Sequence, residues 1–282
     1  MRRAKHAVAG QLVVRWNRRT AIWAIVIVVV LAGIAGGIAI WALGGGKPRV
    51  SPRCRVDVGS SHYAMDLEQA ANATTIAAVG KQVGLPDHAV TIALATALQE
   101  SNLHNLSYGD RDSLGLFQQR PSQGWGTRAQ ILDPRTSSAA FFKALARVPG
   151  WQTMSVTDAA QAVQHSNASQ AYAVWAPMAR ALAIATTGEV PAGFACQFAV
   201  SPSKLRPASP EPALTEAFGP STLNVPVASA RGWTIASWLV GHAEEYRIIS
   251  VRFAGRQWTP NGTWRSFTTT DTGIAITQAT AA

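Results

Sequence analysis

The chain has 282 residues, 48% of them hydrophobic and 14% charged, with a net charge of +10 at neutral pH. That balance suits a packed globular protein with an added apolar segment and excludes disorder throughout. The first twenty residues hold +6 of the charge and the remainder only +4, with no basic stripe interleaved with aromatics, so nucleic-acid binding is excluded as well.

In chain order, residues 1–20 form a basic tail with six cationic side chains (Arg2, Arg3, Lys5, Arg15, Arg18, Arg19) and no acid. The charge-free stretch 21–43, AIWAIVIVVVLAGIAGGIAIWAL, exceeds the roughly 20 residues needed to cross a membrane, with Trp23 and Trp41 near its two ends. The positive-inside rule keeps the tail cytoplasmic and puts the chain beyond Gly44 outside, on a single-pass anchor. Cleavage after a small residue near Gly44 is the alternative to a retained anchor. Gly33 and Gly37 form a GxxxG, which supports at most a weak homodimer of such helices. Residues 44–53 read as a tether, and GGGKPRVSP within it spans at most about 30 Å.

Cys54 and Cys196 bracket one long segment on the oxidising side of the membrane, where a disulfide between them is expected; two free thiols are the alternative. Between them the signals are helical. Asp66–Val83 has helix-forming composition, and Asp87 is placed to cap AVTIALATALQES. Asp133-Pro134 gives an N-cap followed by Pro at the first helical position, and Ser155 with Asp158 resembles a capping box. A last helical run ends at Gly188, with Pro177 expected to kink or divide it. The expected fold is mainly α: an all-helical domain, 54–197, interrupted by an irregular stretch at 105–126. A Pro- and Ser-rich segment within 198–228 reads as an extended or partly disordered linker to a small α/β domain, 229–282.

One residue stands out. Glu100 ends a run, AVTIALATAL, that is apolar nearly all the way round, the pattern of a helix buried within a domain. The helix C-terminus and the apolar surroundings both favour its protonated form, which a general acid for glycosidic cleavage needs. The plainer reading is a Glu that reaches solvent at a frayed helix end.

Glu100-Ser101-Asn102, a loop, and then Ser113-Leu114-Gly115-Leu116-Phe117-Gln118-Gln119 resembles the signature of the soluble lytic transglycosylase family, with its lysozyme-like fold. Phe117 stands at that family's Met position. The likeness covers about 62–185, with its strong matches confined to 94–119. It implies that Glu100 is the catalytic acid and that Ser101, Ser113, Gly115, Gln118 and Gln119 shape the site and hold the sugar. Trp125 and Tyr108 offer surfaces for stacking pyranose rings, or belong to the core. The family's Ala-Tyr-Asn-Ala-Gly segment is replaced by Ala162-Val163-Gln164-His165-Ser166, which puts Gln164 at the cleft and leaves Tyr172 as the nearest substitute for the missing hydroxyl.

Two mechanisms are open. A hydrolase of the two-carboxylate type needs a second acid, for which only Asp110 and Asp112 are nearby; a transglycosylase needs Glu100 alone. His62, His88, His104 and His165 read as surface or packing residues. The C-terminal part faintly resembles a domain related to zinc D-Ala-D-Ala carboxypeptidases, but TGIAIT (272–277) stands where those sites carry His-x-His. Without those ligands no zinc and no peptidase activity are expected, and His242 reads as a helix-face residue; no cofactor is expected for the chain. The resemblance to the transglycosylases favours the second mechanism, and the expectation is an outward-facing lytic transglycosylase that cleaves the glycan strands of peptidoglycan between N-acetylmuramic acid and N-acetylglucosamine. Its rivals are a muramidase, a non-catalytic peptidoglycan-binding module and a membrane scaffold.

Overall fold

Cys54 and Val56 alternate with Arg53, Arg55 and Asp57, a period of two that turns one face inward. In the computed structural model, which describes residues 51–164, 171–220, 222–268 and 272–281, this stretch is strand β1 (Arg53–Val58). A two-residue turn at Gly59-Ser60, with Gly59 at φ +57°, leads into β2 (Ser61–Met65). Strand β3 (Phe194–Gln197) pairs antiparallel on the other side, completing the order β2-β1-β3. Cys54 lies directly opposite Cys196 in this ladder, and the two form the expected disulfide.

Helix α1 (Leu67–Gln82) starts in a capping box in which Asp66 accepts from Gln69 N–H. Helix α2 (Asp87–Ser101) comes next, buried from Ala89 through Leu98, as its all-round apolar sequence requires. The expected cap is corrected here. Pro86 takes the N-cap position because its fixed φ and extended ψ suit a residue just outside a helix, so Asp87 enters the first turn and pairs with Lys81 at 2.8 Å.

After α3 (Arg128–Ile131), helix α4 (Pro134–Leu145) is capped by Asp133, which accepts from Thr136 N–H at 2.7 Å. Asp158 N–H donates to Ser155 Oγ as α5 (Val156–Gln164) begins. Pro177 does not kink a helix: it lies in the first turn of α6 (Ala176–Thr186), after a 3₁₀ turn over Ala173–Trp175. Helix α6 packs along α2, while α4 and α5 close the other sides of the helical core.

The mainly α expectation is therefore corrected. Among the described residues, two antiparallel sheets accompany the helices, and the region 54–197 is not all-helical. The second sheet, in order β6-β5-β4-β7, comprises β4 (Ile248–Phe253), β5 (Arg256–Thr259), β6 (Thr263–Ser266) and β7 (Ala275–Gln278). All its neighbouring pairs are antiparallel, two of them joined by the short turns at Ala254-Gly255 and Pro260–Gly262, which makes this part α+β rather than α/β. The anchor expected at 21–43 lies outside the described residues. Among the described residues, no helix is long and apolar enough to cross a membrane.

The Pro-rich segment is not an extended connection throughout. It contains α7 (Glu211–Phe218), whose Leu214 is fully buried, and residues 223–226 bridge to 273–274. Helix α8 (Ser229–Gly241) then lies on α1 so closely that a Cβ at Gly241 would come within 2.5 Å of Thr74 Oγ1. The indoles of Trp258 and Trp264 donate to the carbonyls of Cys196 and Phe194, tying the second sheet to β3. All described residues thus belong to one compact unit.

His242 closes α8 in this contact. Its Nδ1 lies 2.9 Å from Trp238 O, its ring stacks on Trp238 at 4.0 Å, and Nε2 is 3.3 Å from Thr75 Oγ1. Burial pushes the imidazole pKa down to about 4 against the opposing pull of the Trp238 carbonyl. Between about pH 6.5 and 4 the unfolded chain binds a proton that the folded chain refuses, so stability is lost as pH falls through this window. Urea titrations at pH 7 and 4.5 are expected to show the native protein losing about 2 kcal/mol more than a His242→Gln variant. Equal losses would disprove the neutral, packed imidazole.

Candidate active site

The buried helix α2 delivers Glu100 to its last turn, where the side chain is half-buried. Beyond it, Asn102 and Leu103 take left-handed conformations (φ 52° and 61°), and the chain leaves the helix axis. The Ser101 hydroxyl lies 3.0 Å from Ala97 O and 2.8 Å from Leu116 O, so it joins the end of α2 to the segment 113–119.

That segment is a closed loop. Leu114 and Gln119 exchange both backbone hydrogen bonds at 3.0 Å, and the four residues between them turn through Gly115 (φ +73°) and Gln118 (φ +47°). Only glycine fits at 115, because a Cβ there would lie 2.6 Å from the Ile131 carbonyl oxygen. Leu116 and Phe117 are fully buried, with Phe117 stacked on Phe141 at 4.7 Å, so the loop is plugged into the helical core. Ser113 is buried at its base, its N–H donating to Asp110 O. Gln119 is buried and donates to Ser137 O, whereas its Oε1 has no partner among the described residues. Gln118 is half-buried, and its Nε2 lies 3.3 Å from Tyr108 O and 3.2 Å from Gly115 O, turned back on its own loop.

Across from this loop, two elements approach Glu100 and the plug. Gln164, at the end of α5, donates from Nε2 to Phe117 O at 2.8 Å. Tyr172 is fully buried and donates its hydroxyl to Glu100 Oε1 at 2.8 Å, while Trp175 Nε1–H donates to Gln99 Oε1 at 2.9 Å. The turn at 172–175 is therefore docked on the final turn of α2 through two side-chain bonds. The structure brings together Glu100 and Tyr172, and separately Ser101, Gln164 and the loop 113–119. Residue 165 and its neighbours to 170 lie outside the described residues.

A cleft of about 640 Å³ opens beside the loop, within the range of ligand sites. Trp125, half-buried, and Gln164 line it with Val148, Pro149 and Val163, joined by Arg147. Glu100 is not among its described lining residues. Arg147 was not marked out by sequence: a single Arg at the end of a helix carries no pattern. A second cavity, of about 350 Å³, lies beside Lys81, Phe218 and Arg231 and is bordered by none of the expected site residues.

The two loop aspartates occupy other positions. Asp112 accepts from Ser122 N–H at 2.8 Å, Arg120 Nε at 2.7 Å and Ser122 Oγ at 3.0 Å, which together hold its carboxyl well below the usual range. Asp110 is exposed beside Arg111. Of the histidines, His62 pairs with Asp57 and His104 with Asp66, while His88 meets the Met154 carbonyl. Among the described residues, no three of His, Cys, Asp and Glu gather where a metal would bind. No protein-family model matches the chain, and no curated protein matches it.

Proposed function

We propose that this protein cleaves the glycan strands of peptidoglycan between N-acetylmuramic acid and N-acetylglucosamine, as a lytic transglycosylase. The observation that carries the reading is the half-buried Glu100 carboxyl, fixed at 2.8 Å by the Tyr172 hydroxyl at the end of a buried helix. Glu100 gives its proton to the bridging oxygen as the C1–O bond breaks. The muramyl C6 hydroxyl then attacks C1 and returns a proton to the same carboxylate, leaving a 1,6-anhydro end without the entry of water. One carboxyl is sufficient for both steps. The engagement of Asp112 with Arg120 and Ser122 supports this route over a two-carboxylate hydrolase. The charge-free stretch 21–43 supports action at the outer face of the membrane, on the cell-wall side.

Mass spectrometry of products from purified peptidoglycan tests this: anhydro-muropeptides are expected, and reducing ends would move the mechanism to hydrolysis. A second reading, a peptidoglycan-binding module without turnover, is favoured by the absence of Glu100 from the described lining of the cleft. Binding with no product of either kind would select it.

Tyr172→Phe separates positioning from packing, since it keeps the ring and removes only the hydroxyl. The loss of a hydrogen bond to a carboxylate is expected to lower kcat about 10-fold while KM changes less than about 2-fold. An unchanged kcat would mean that the Tyr172 hydroxyl plays no part in orienting the acid.

A further inference from the structure

The cleft beside the loop 113–119 is built from three separated pieces of chain: the turn around Trp125, the end of α4 with the residues after it, and the end of α5. Val148, Pro149 and Val163 give it an apolar wall, and Trp125 gives it an aromatic plate. Gln164 adds an amide already fixed by its bond to Phe117 O, which leaves Oε1 to accept from a ligand. The remaining group is a charge. Arg147 is the one ionisable residue among the described lining residues, and no Asp or Glu accompanies it.

Its isolation is unusual for an arginine in this region. Arg120 is held by Asp112, Arg128 by Ser107 O, Arg135 by Glu216 and Arg180 by Glu189. Arg147 bonds through its backbone N–H to Ala144 O, but its guanidinium has no partner among the described residues. A planar fork of five donors matches a carboxylate in two parallel hydrogen bonds. A concave site with one positive charge and no negative one also favours an anion over a neutral ligand.

Resting on the glycan reading of the proposed function, we infer that this cleft reads a carboxylate carried by the glycan strand, with Arg147 as the recognising group, Trp125 stacking on the sugar ring and Gln164 accepting from it. The ligand is a strand of amino sugars bearing acidic substituents rather than an uncharged one. The carboxylate has two chemical sources, the peptide attached to the sugar or the lactyl group exposed when that peptide is removed.

The test uses the full chain in detergent, carrying Glu100→Gln so that binding is read without turnover. Its probes are soluble glycan strands and the same strands with their carboxylates converted to primary amides. Native strands are expected to bind about 3- to 5-fold more tightly at low salt, the size of a partly exposed ion pair, and the preference is expected to shrink at high salt. In Arg147→Gln the ratio of the two affinities is expected to fall to about one, and Arg147→Lys to restore part of it. A third probe, strands stripped of peptide by an amidase, assigns the source: a preference retained there belongs to the lactyl carboxylate, and one lost there to the peptide.

Equal binding of native and amidated strands would overturn the inference, as would a preference that survives in Arg147→Gln; either result leaves the glycan reading in place if the Glu100-containing chain forms products. Binding of neither strand, together with no products, would instead bring down the glycan reading and this inference with it.

Discussion

Replacing Glu100 with glutamine is expected to reduce the release of anhydro-muropeptides by about 10²- to 10⁴-fold, the range in which a positioned proton donor contributes. Gln keeps the length of the side chain and an oxygen that can accept from the Tyr172 hydroxyl, which now lies 2.8 Å from Glu100 Oε1. What it lacks is the proton. The effect is expected in kcat, with strand binding retained, because the interaction removed operates only as the glycosidic bond breaks. A variant with more than about a tenth of native turnover would remove Glu100 from the chemistry. Tyr172 would then be read as packing for the end of α2, where Trp175 already bonds to Gln99.

The second large effect concerns stability. Joint replacement of Cys54 and Cys196 by alanine is expected to lower the free energy of unfolding by about 5 kcal/mol, from the loop entropy released when a bridge across 142 residues is lost. Net stabilities of about 5–15 kcal/mol make this a large share of the total. Both sulfurs are in fully buried residues in facing positions on β1 and β3, so the variant also loses buried side-chain packing. Urea unfolding of the full chain in detergent measures the loss. A shift below about 1 kcal/mol would mean that the ladder between β1 and β3 holds the two ends of the segment without the covalent link.

Much of the helical core was legible in the sequence because its signals are local. The all-round apolar run Ala89–Leu98 marked a buried helix, Asp133-Pro134 marked the start of α4, and the placement of Glu100 at a helix end came from the same run. The strands were less legible. RCRVDV does alternate, but the first sheet joins residues 53–65 to 194–197, and pairing across such a separation leaves no trace in either stretch alone. The segment 201–227 misled for a related reason. Its prolines and serines describe a chain without much preference of its own, whereas α7 is held by the burial of Leu214 and Phe218 against elements distant in sequence.

The candidate site divides in the same way. Sequence by itself determined the residue types available: a carboxyl ending an apolar helix, a glycine-containing loop after it, one pair of cysteines and the charge-free stretch at 21–43. Helical periodicity and turn chemistry act over a few residues, which is why these features could be read in place. Only the tertiary structure decided which groups meet. It put the Tyr172 hydroxyl on Glu100, turned the Gln118 amide into its own loop, committed Asp112 to Arg120 and Ser122, and left the Arg147 guanidinium without a described partner at the rim of a cleft. Those outcomes depend on distances between side chains far apart along the chain, and packing of the whole core, not any local pattern, sets them.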